Sequence, residues 1–340
     1  MIILAIESSC DETAAAVIKN GKVLSNIVSS QTEHSAFGGV IPEIASRAHL
    51  RMISTVVNQA LSKSQLTLAD IEAIAVTTSP GLAGALLVGA NFAKGLALRL
   101  NIPLIPVNHI EGHLYSGFLV SETIEFPFIS LVVSGGHTSL FYVTSFHEYS
   151  ILGSTRDDAA GEAFDKTSKM LGLGYPGGPI MDKLAKNGNP SAYIFPRAMM
   201  QKDSLQFSYS GLKTAVRVFL QHNYPEGDFH DNIHNICASV QEAIIEPLVK
   251  KSFIALKQMK VNTLIVAGGV SANSRLRSEL ERLAQKKSVK LFIPDIQYCI
   301  DNAAMIGSLA EKKITEQKTS DHYMSYNITV NSSALRSPKK

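Results

Sequence analysis

Two histidines four residues apart, His109 and His113, are the residues whose type and spacing most clearly suggest chemistry in this sequence. Side chains four positions apart lie on the same face of a helix, so both imidazole rings can reach one metal ion. The preceding residues 104–107 have the pattern of a buried strand. Ligand sites in α/β sheets lie at the carboxyl ends of strands, so the sequence predicts a metal site here.

The glutamate between these histidines argues against protease chemistry. In zinc proteases the glutamate directly follows the first histidine and acts as general base on the metal-bound water. Here Glu111 lies two positions after His109, about 200° around a helix with 3.6 residues per turn. We therefore expect Glu111 to point away from the ion, and a metallopeptidase would need another carboxylate as its base.

The composition is that of a folded globular protein, long enough for two domains. The 340 residues are 45% hydrophobic and 18% charged, which is enough for two compact cores. Three widely spaced cysteines argue against disulfides and favour a reducing cytoplasm. The apolar window 81–98 contains Asn91 and Lys94, which favours a helix packed on a sheet over a membrane span. With a formal net charge of only +3, nucleic acid would need a local patch or a partner protein.

The predicted elements follow one order twice. The first set has strands at 2–6, 14–19, 22–28, 73–78 and 104–107, with helices from 42 and at 81–98. The second has strands at 128–133, 139–144, 149–153, 263–267 and 290–293, with helices at 158–171, 211–221, 232–259, 271–286 and 302–314. This order predicts an α/β protein with two ribonuclease-H-like domains and a cleft between them. We place the domains at 1–108 and 109–340, with a helical insertion at about 155–230 and the last helix packed back on the first domain.

Several loops carry polar or glycine-rich motifs. Residues 7–13, Glu-Ser-Ser-Cys-Asp-Glu-Thr, lie between the first two strands, where sugar kinases and actin-like ATPases hold phosphate or metal. Glycine-bearing turns at 134–138, 175–179 and 267–273 would let backbone amides approach an anion. Asp158, Glu162 and Asp165 would form an acidic row on one helix, suited to hydroxyl recognition. Asp301, between a predicted strand and helix, would be an N-cap or a metal ligand.

In these motifs the chain resembles, over nearly its whole length, the bacterial-type tRNA threonylcarbamoyladenosine transferase family, whose members were once named glycoprotein endopeptidases. The matching segments are 7–13, 109–113, 134–138, 157–166, 175–179, 207–213, 267–273 and 301–304. The resemblance implies an actin-like, sugar-kinase-like fold. It also implies transfer of a threonylcarbamoyl group from threonylcarbamoyl-AMP to N6 of adenosine 37 in tRNAs that read codons beginning with A.

The same resemblance implies the site residues. The expected ligands of one divalent metal ion per subunit, iron or zinc, are His109, His113 and Asp301. The residues expected to contact the acyl-adenylate are Val132, Val133, Ser134, Gly135 and Gly136. The residues expected to contact its adenosine part are Asp165, Gly178, Asp182 and Asn273.

Chemistry adds a role for the first polar loop. An acyl phosphate anhydride is already activated, so the enzyme mainly has to position it and stabilise developing charge. We expect Asp11 or Glu12 to position the incoming amine or accept its proton. The sequence departs from the wider family twice: Val132 stands where archaeal and eukaryotic relatives have a tyrosine ligand, which leaves three protein ligands, and Ile300 replaces a common threonine.

The resemblance also implies partners. These are tRNA, a paralogue that dimerises with the protein and an ATPase, in the cytoplasm and without a membrane. Two alternative functions stay open from the sequence: a metal-dependent glycoprotein endopeptidase, and an ATP-dependent kinase or ATPase of the same fold.

Overall fold

The computed structural model describes residues 1–31, 33–34, 39–121, 123–317 and 321–333. The chain divides into two compact units, one of Met1–Thr123 with Ile300–Lys340 and one of Ile124–Cys299. The first unit is therefore built from two separate chain segments, whereas the two predicted domains are each continuous and meet after residue 108.

The first segment forms a five-stranded mixed sheet with three helices. Its elements are β1 (Ile2–Glu7), β2 (Glu12–Lys19), β3 (Lys22–Ser30), α1 (Pro42–Ser64), β4 (Ala73–Ser79), α2 (Ala83–Leu100), β5 (Leu104–Asn108) and α3 (His109–Leu114). The strand order is β3-β2-β1-β4-β5. β1 runs antiparallel to β2 and parallel to β4, and β4 runs parallel to β5. The carboxyl ends of β1, β4 and β5 therefore meet at one edge of the sheet.

Small residues let α2 lie close to this sheet. Its buried positions include Ala85, Gly89, Ala93 and Ala97, and the helix packs against β4 and α1. Within the described part of the chain, it is the one helix long and apolar enough to cross a membrane, with a third of its residues buried. Its packing agrees with the prediction of a helix lying on a sheet.

The second unit forms another five-stranded mixed sheet with six helices among its described residues. The elements are β6 (Phe128–Val133), β7 (Thr138–Val143), β8 (Tyr149–Ser154), α4 (Ala160–Met170), α5 (Gly177–Ala185), α6 (Ser210–Asn223), α7 (Ile233–Met259), β9 (Thr263–Ala267), α8 (Ser274–Lys287), β10 (Lys290–Phe292) and α9 (Ile296–Cys299). The strand order is β10-β9-β6-β7-β8. β7 pairs antiparallel with β6 and β8, whereas β9 is parallel to β6 and β10. The two sheets share one topology, which confirms the predicted duplicated order.

The last helix belongs with the first sheet. α10 (Ala303–Gln317) packs on β1, β2 and β3, and also contacts α3. Its buried apolar residues include Met305, Ile306 and Leu309. The chain thus returns to the first unit immediately after Cys299.

Two short helices were not predicted. α5 begins with Gly-Gly-Pro, a sequence typical of a turn, but Met181 and Ala185 are buried in the core of the second unit. Tertiary packing there outweighs the low helix propensity of glycine and proline. α9, with four residues, lies between the predicted strand at 290–293 and the predicted helix at 302–314.

Asp157 shows how distant residues complete a helix end in the second unit. Its carboxylate accepts hydrogen bonds from the Ser208 hydroxyl (2.6 Å), the Tyr209 amide (2.7 Å) and the Ser210 amide (3.1 Å) and hydroxyl (2.9 Å). It therefore caps the start of α6 from about fifty residues away. Partial burial raises the pKa of Asp157, but these hydrogen bonds outweigh it and hold the pKa below its usual value.

Replacing Asp157 with alanine should lower the free energy of unfolding by about 1–2 kcal/mol at pH 7, the usual cost of a lost N-cap. Because the folded-state pKa is depressed, this contribution is present above the unfolded pKa of about 4 and is lost as the pH falls further. Urea unfolding at neutral and acidic pH measures it, with the exposed Asp228→Ala as control. A difference from wild type that does not shrink in acid would contradict the capping role.

Candidate metal centre and glycine-rich turns

The two histidines occupy the first and fifth positions of α3. The Asn108 side chain at the end of β5 accepts hydrogen bonds from the Ile110 and Glu111 amides (2.8 and 3.2 Å), so the helix begins at His109. Both imidazole rings are buried, with centroids 4.8 Å apart and planes nearly perpendicular. The sequence therefore places both rings on one buried face, as predicted.

Asp301 lies beside both histidines. Its Oδ1 atom is 3.1 Å from His113 Nε2 and 3.5 Å from His109 Nε2. The strand predicted before it is β10, and α9 lies between that strand and Asp301. The alternative that Asp301 caps α10 is not what the structure has: the Asn302 side chain accepts the Met305 amide hydrogen bond (3.0 Å).

The three side chains fit a metal ion. One potential ligand atom from each lies within 4.8 Å of the others, and the shorter separations equal those of two ligands about 2.0–2.2 Å from a common ion. Two imidazole nitrogens and one carboxylate oxygen form a donor set that suits zinc or non-haem iron(II). His113 Nδ1 is buried and has no hydrogen-bond partner among the described residues. Three protein ligands leave further coordination positions open to a substrate.

Glu7 supports this cluster from the end of β1. It is fully buried, and its carboxylate contacts His109 Nδ1 (3.2 Å) and the Ser9 amide (2.6 Å) and accepts a hydrogen bond from the Thr77 hydroxyl. The Ser9 hydroxyl is 3.1 Å from the same His109 nitrogen. A carboxylate on Nδ1 fixes the ring orientation and directs Nε2 toward Asp301, as in many metal sites. Sequence reasoning missed this role; the available signal was an acidic residue ending an otherwise apolar strand.

The charged groups of this cluster shift one another's pKa values. Burial lowers the pKa of His109, but the carboxylates of Asp301 and Glu7 outweigh it and raise the pKa to about 9. Burial raises the pKa of Glu7, whereas the charge and hydrogen bond of His109 bring it below the usual value. Without an ion, a proton on His109 thus compensates the two carboxylates. An ion held by His109 would have to replace that proton.

Replacing Glu7 with glutamine should weaken Zn²⁺ binding by about 10–100-fold, because the uncharged amide no longer orients and polarises His109. Competition with a chromophoric chelator at pH 7 measures the affinity. Glu311→Gln is the matched control, since Glu311 is a buried carboxylate of the same unit that binds the Gly21 amide instead. Equal Zn²⁺ affinity of Glu7→Gln and wild type would contradict the role of Glu7.

Asp11 and Glu12 lie near this cluster, at the start of β2. Burial raises the pKa of Glu12, and the negative charges of Asp301 and Asp11 raise it further. The loop before them is held by His49, whose Nε2 contacts the Cys10 carbonyl (2.9 Å) and whose Nδ1 contacts the Thr13 hydroxyl (2.8 Å). His49 itself is fully buried.

Glu111 points away from the candidate ligands, as predicted. Its carboxylate accepts a hydrogen bond from Lys313 of α10, and both side chains are more than four-fifths buried. This position is inconsistent with the glutamate of a zinc protease.

The first glycine-bearing turn joins β6 to β7. The Ser134 amide donates to the His137 carbonyl (2.8 Å), which closes the turn, and Gly135 and Gly136 are exposed. Val132 and Val133 are fully buried in β6. Of the predicted acyl-adenylate residues, these two valines are therefore enclosed in the sheet, whereas the glycines of the turn are exposed.

The predicted adenosine residues of the second unit either lie at helix starts or bind one through their carboxylates. Asp165 accepts the Gly177 amide (2.7 Å) at the start of α5, where Gly178 is the next residue. Asp182 accepts hydrogen bonds from the Ser274 hydroxyl (2.8 Å) and amide (3.3 Å). Asn273 caps α8.

Gly268 brings the third glycine-bearing turn against β6. Its φ is +90°, and a Cβ atom there would lie 2.4 Å from the Val133 carbonyl oxygen. Only glycine fits such a close backbone approach at positive φ.

A cavity of about 400 Å³ adjoins Asp182 and Asn273. Its lining includes Ser274, which binds Asp182, and Gln241, which accepts a hydrogen bond from the Asn273 amide (2.7 Å). This volume lies within the range of small-ligand pockets.

The predicted acidic row on α4 differs from the expectation. Asp158 precedes the helix. Lys166 Nζ forms ion pairs with both Asp158 Oδ1 (2.7 Å) and Glu162 Oε1 (2.8 Å). These carboxylates are thus paired within the helix region, and Asp165 is the member of the row that reaches a glycine-bearing turn.

Solved structures with the same topology define the class of fold. The activator of the 2-hydroxyisocaproyl-CoA dehydratase from Clostridium difficile, with bound ADPNP, gives a TM-score of 0.52 at 13% identity, covering 94% of this chain and 97% of that chain. Full-length HypF in its phosphate- and nucleotide-bound form gives a TM-score of 0.59 at 12% identity, covering 93% of this chain and 46% of that chain. Together with the two mixed sheets, these structures place the chain in the actin-like, sugar-kinase-like class with two ribonuclease-H-like units.

Sequence comparison is more specific. The family model described as tRNA N6-adenosine threonylcarbamoyltransferase matches residues 22–308. The protein of that name from Trichlorobacter lovleyi is 55% identical over 310 residues, 90% of each chain, and the one from Clostridioides difficile is 51% identical over 337 residues, 97% of this chain and 98% of its own. The chain belongs to the tRNA N6-adenosine threonylcarbamoyltransferase family.

Proposed function

We propose that the protein transfers the threonylcarbamoyl group of threonylcarbamoyl-AMP to N6 of adenosine 37 in tRNAs that read codons beginning with A. Relatives named tRNA N6-adenosine threonylcarbamoyltransferase that are about half identical over nearly the whole chain support this reaction. The observation that carries its chemistry is the convergence of His109, His113 and Asp301.

The three converging side chains would hold an iron or zinc ion. When bound, such an ion supplies Lewis-acid polarisation of acyl or phosphate oxygens. His109 and His113 contribute neutral imidazoles, and Glu7 keeps His109 oriented. The paired Glu111 argues against the endopeptidase alternative, because no glutamate of the histidine motif faces the cluster.

Glu12 or Asp11 would act on the nucleophile. The exocyclic amine of adenosine loses a proton as it attacks the acyl carbon, and the donor already carries AMP as its leaving group. The raised pKa of Glu12 makes it a stronger base than an exposed carboxylate once it is ionised. We assign the proton-accepting role to Glu12 and a positioning role to Asp11.

Residues of the second unit would bind the donor. The exposed glycines Gly135 and Gly136 offer backbone amides that suit an anionic acyl phosphate, and Ser134 would contribute its hydroxyl, while the buried Val132 and Val133 would support the turn from β6. The carboxylate oxygens of Asp165 and Asp182 are hydrogen-bond acceptors, which suits them to ribose hydroxyls. Gly178 would allow close approach, and Asn273 lies next to the cavity described above.

The partners follow from the same reaction. We propose that the protein works in the cytoplasm on tRNA, with a paralogous dimerisation partner and an ATPase. The low net charge supports a shared tRNA surface, since +3 over 340 residues gives little attraction by itself.

Nucleoside mass spectrometry tests the activity. Purified protein is added to a bacterial extract that lacks its own enzyme of this family, together with unmodified tRNA, threonine, bicarbonate and ATP. We expect threonylcarbamoyladenosine to appear at position 37. Its absence, while the extract still forms the adenylate, would refute the proposed function.

A further inference from the structure

The helix that carries both histidines is short and depends on its neighbours. α3 has six residues, and a helix of this length is not stable by itself in water. Asn108 fixes where it begins, but a cap does not set its rotation about its own axis. Contacts with neighbouring elements, α10 among them, therefore help to determine which way the histidines face.

α3 and α10 pack closely at Gly112. A Cβ atom at this position would lie 3.0 Å from Ile306 Cδ1 and 3.2 Å from Met305 Cγ, so a larger residue would force these side chains to shift. Asp301 lies two residues before α10, next to the Asn302 cap. Any shift between the two helices would therefore change the separation of the histidines from Asp301.

A second contact lies farther along α10. Lys313 Nζ donates a hydrogen bond to the Glu111 carboxylate, and the side chains keep only 17% and 18% of their exposure. Lys313 is two turns beyond Ile306, about 10 Å along the axis. α10 thus contacts α3 at two separated points, one apolar and one charged.

The contact between Glu111 and Lys313 restrains the rotation of α3 about its own axis. Glu111 projects from α3 on the side opposite the histidines, about 200° from His109. A rotation of about 20° would move ring atoms 5–6 Å from the axis by about 2 Å. Metal–ligand distances tolerate only about 0.2 Å, so a small rotation would disrupt the site.

We propose that the Glu111–Lys313 ion pair is a positioning device for the metal centre, which fixes the rotation of α3 on α10 so that His109 and His113 face Asp301. The inference rests on the proposed metal centre. Glu111 and Lys313 are positioning residues, since neither faces the ligand cluster.

Zn²⁺ affinity, measured by chelator competition, and the thermal midpoint of the metal-free protein together test this role. The variants are Glu111→Gln, Lys313→Met, the double variant and the conservative Lys313→Arg. Glu246→Gln is the matched control, since Glu246 pairs with Arg197 (2.9 Å) at similar burial in the second unit. The double variant has no unpaired buried charge and gives a result even if the single variants do not fold.

We expect about tenfold weaker Zn²⁺ binding in Glu111→Gln and Lys313→Met, and no larger loss in the double variant, because the pair acts as one unit. Lys313→Arg should bind within about twofold of wild type, and Glu246→Gln should lower only the thermal midpoint. If the double variant binds Zn²⁺ like wild type while its midpoint falls, the pair serves stability alone and the inference is wrong. If wild type binds no Zn²⁺, the metal centre itself is refuted, and this inference with it.

Discussion

His109→Ala should bind Zn²⁺ or Fe²⁺ no more than weakly and should transfer threonylcarbamoyl to tRNA at least about 10³-fold more slowly than wild type. The substitution removes one of three protein ligands and leaves Glu7 buried without its imidazole partner. The loss reflects several kcal/mol of charge stabilisation that a Lewis acid contributes. Metal content by elemental analysis and nucleoside mass spectrometry measure the two effects.

A control separates this effect from misfolding. His147→Ala removes an exposed histidine of the second unit and should leave metal content and transfer unchanged. Full transfer by a His109→Ala protein that holds no metal would refute the role of the metal centre in the reaction.

Glu12→Gln should lower the transfer rate by about 10²–10⁴-fold, the usual contribution of a general base. Glutamine keeps the shape of the side chain but cannot accept the proton of the amine. Because Glu12 is not one of the three candidate ligands, Zn²⁺ affinity should stay close to that of wild type. Single-turnover transfer to tRNA, followed by nucleoside mass spectrometry, measures the rate.

The pH profile adds a second readout for Glu12. A raised pKa means that wild-type activity should fall as the pH drops through a value above that of a free glutamate, because the protonated acid cannot accept a proton. Glu12→Gln should lose that acidic limb. Asp11→Asn should keep it if Asp11 only positions the amine, and the exposed Glu281→Gln is the control for a surface carboxylate. A full rate in Glu12→Gln would assign the base elsewhere.

The element order was predictable because the strands are short apolar runs and the long helices have clear apolar periods. The two histidines were predictable as a pair from their helical spacing. The contact of Glu7 with His109 was not, because it depends on β4 lying between β1 and β5, where the Thr77 hydroxyl of β4 also donates to Glu7. A sequence states neither which strands are neighbours nor in which order.

The region around Asp301 shows a different limit. Aspartate and asparagine are almost equally good N-caps, so the pair Asp301-Asn302 does not reveal which residue caps α10. In the structure Asn302 caps α10, and Asp301 lies beside the histidines. Local propensity could not predict which residue caps the helix, because the position of Asp301 depends on its contact with His113, 188 positions earlier in the chain.

The division of the first unit into two chain segments has a consequence for biosynthesis. His109 and His113 leave the ribosome long before Asp301, which follows 188 residues after His113. At about 5–20 residues per second, the nascent chain waits roughly 10–40 s for its third ligand. The second unit can fold during that interval, and α10 can only then be added to the first sheet. Loading of an ion would thereby be deferred until translation is almost finished, because incomplete chains lack Asp301.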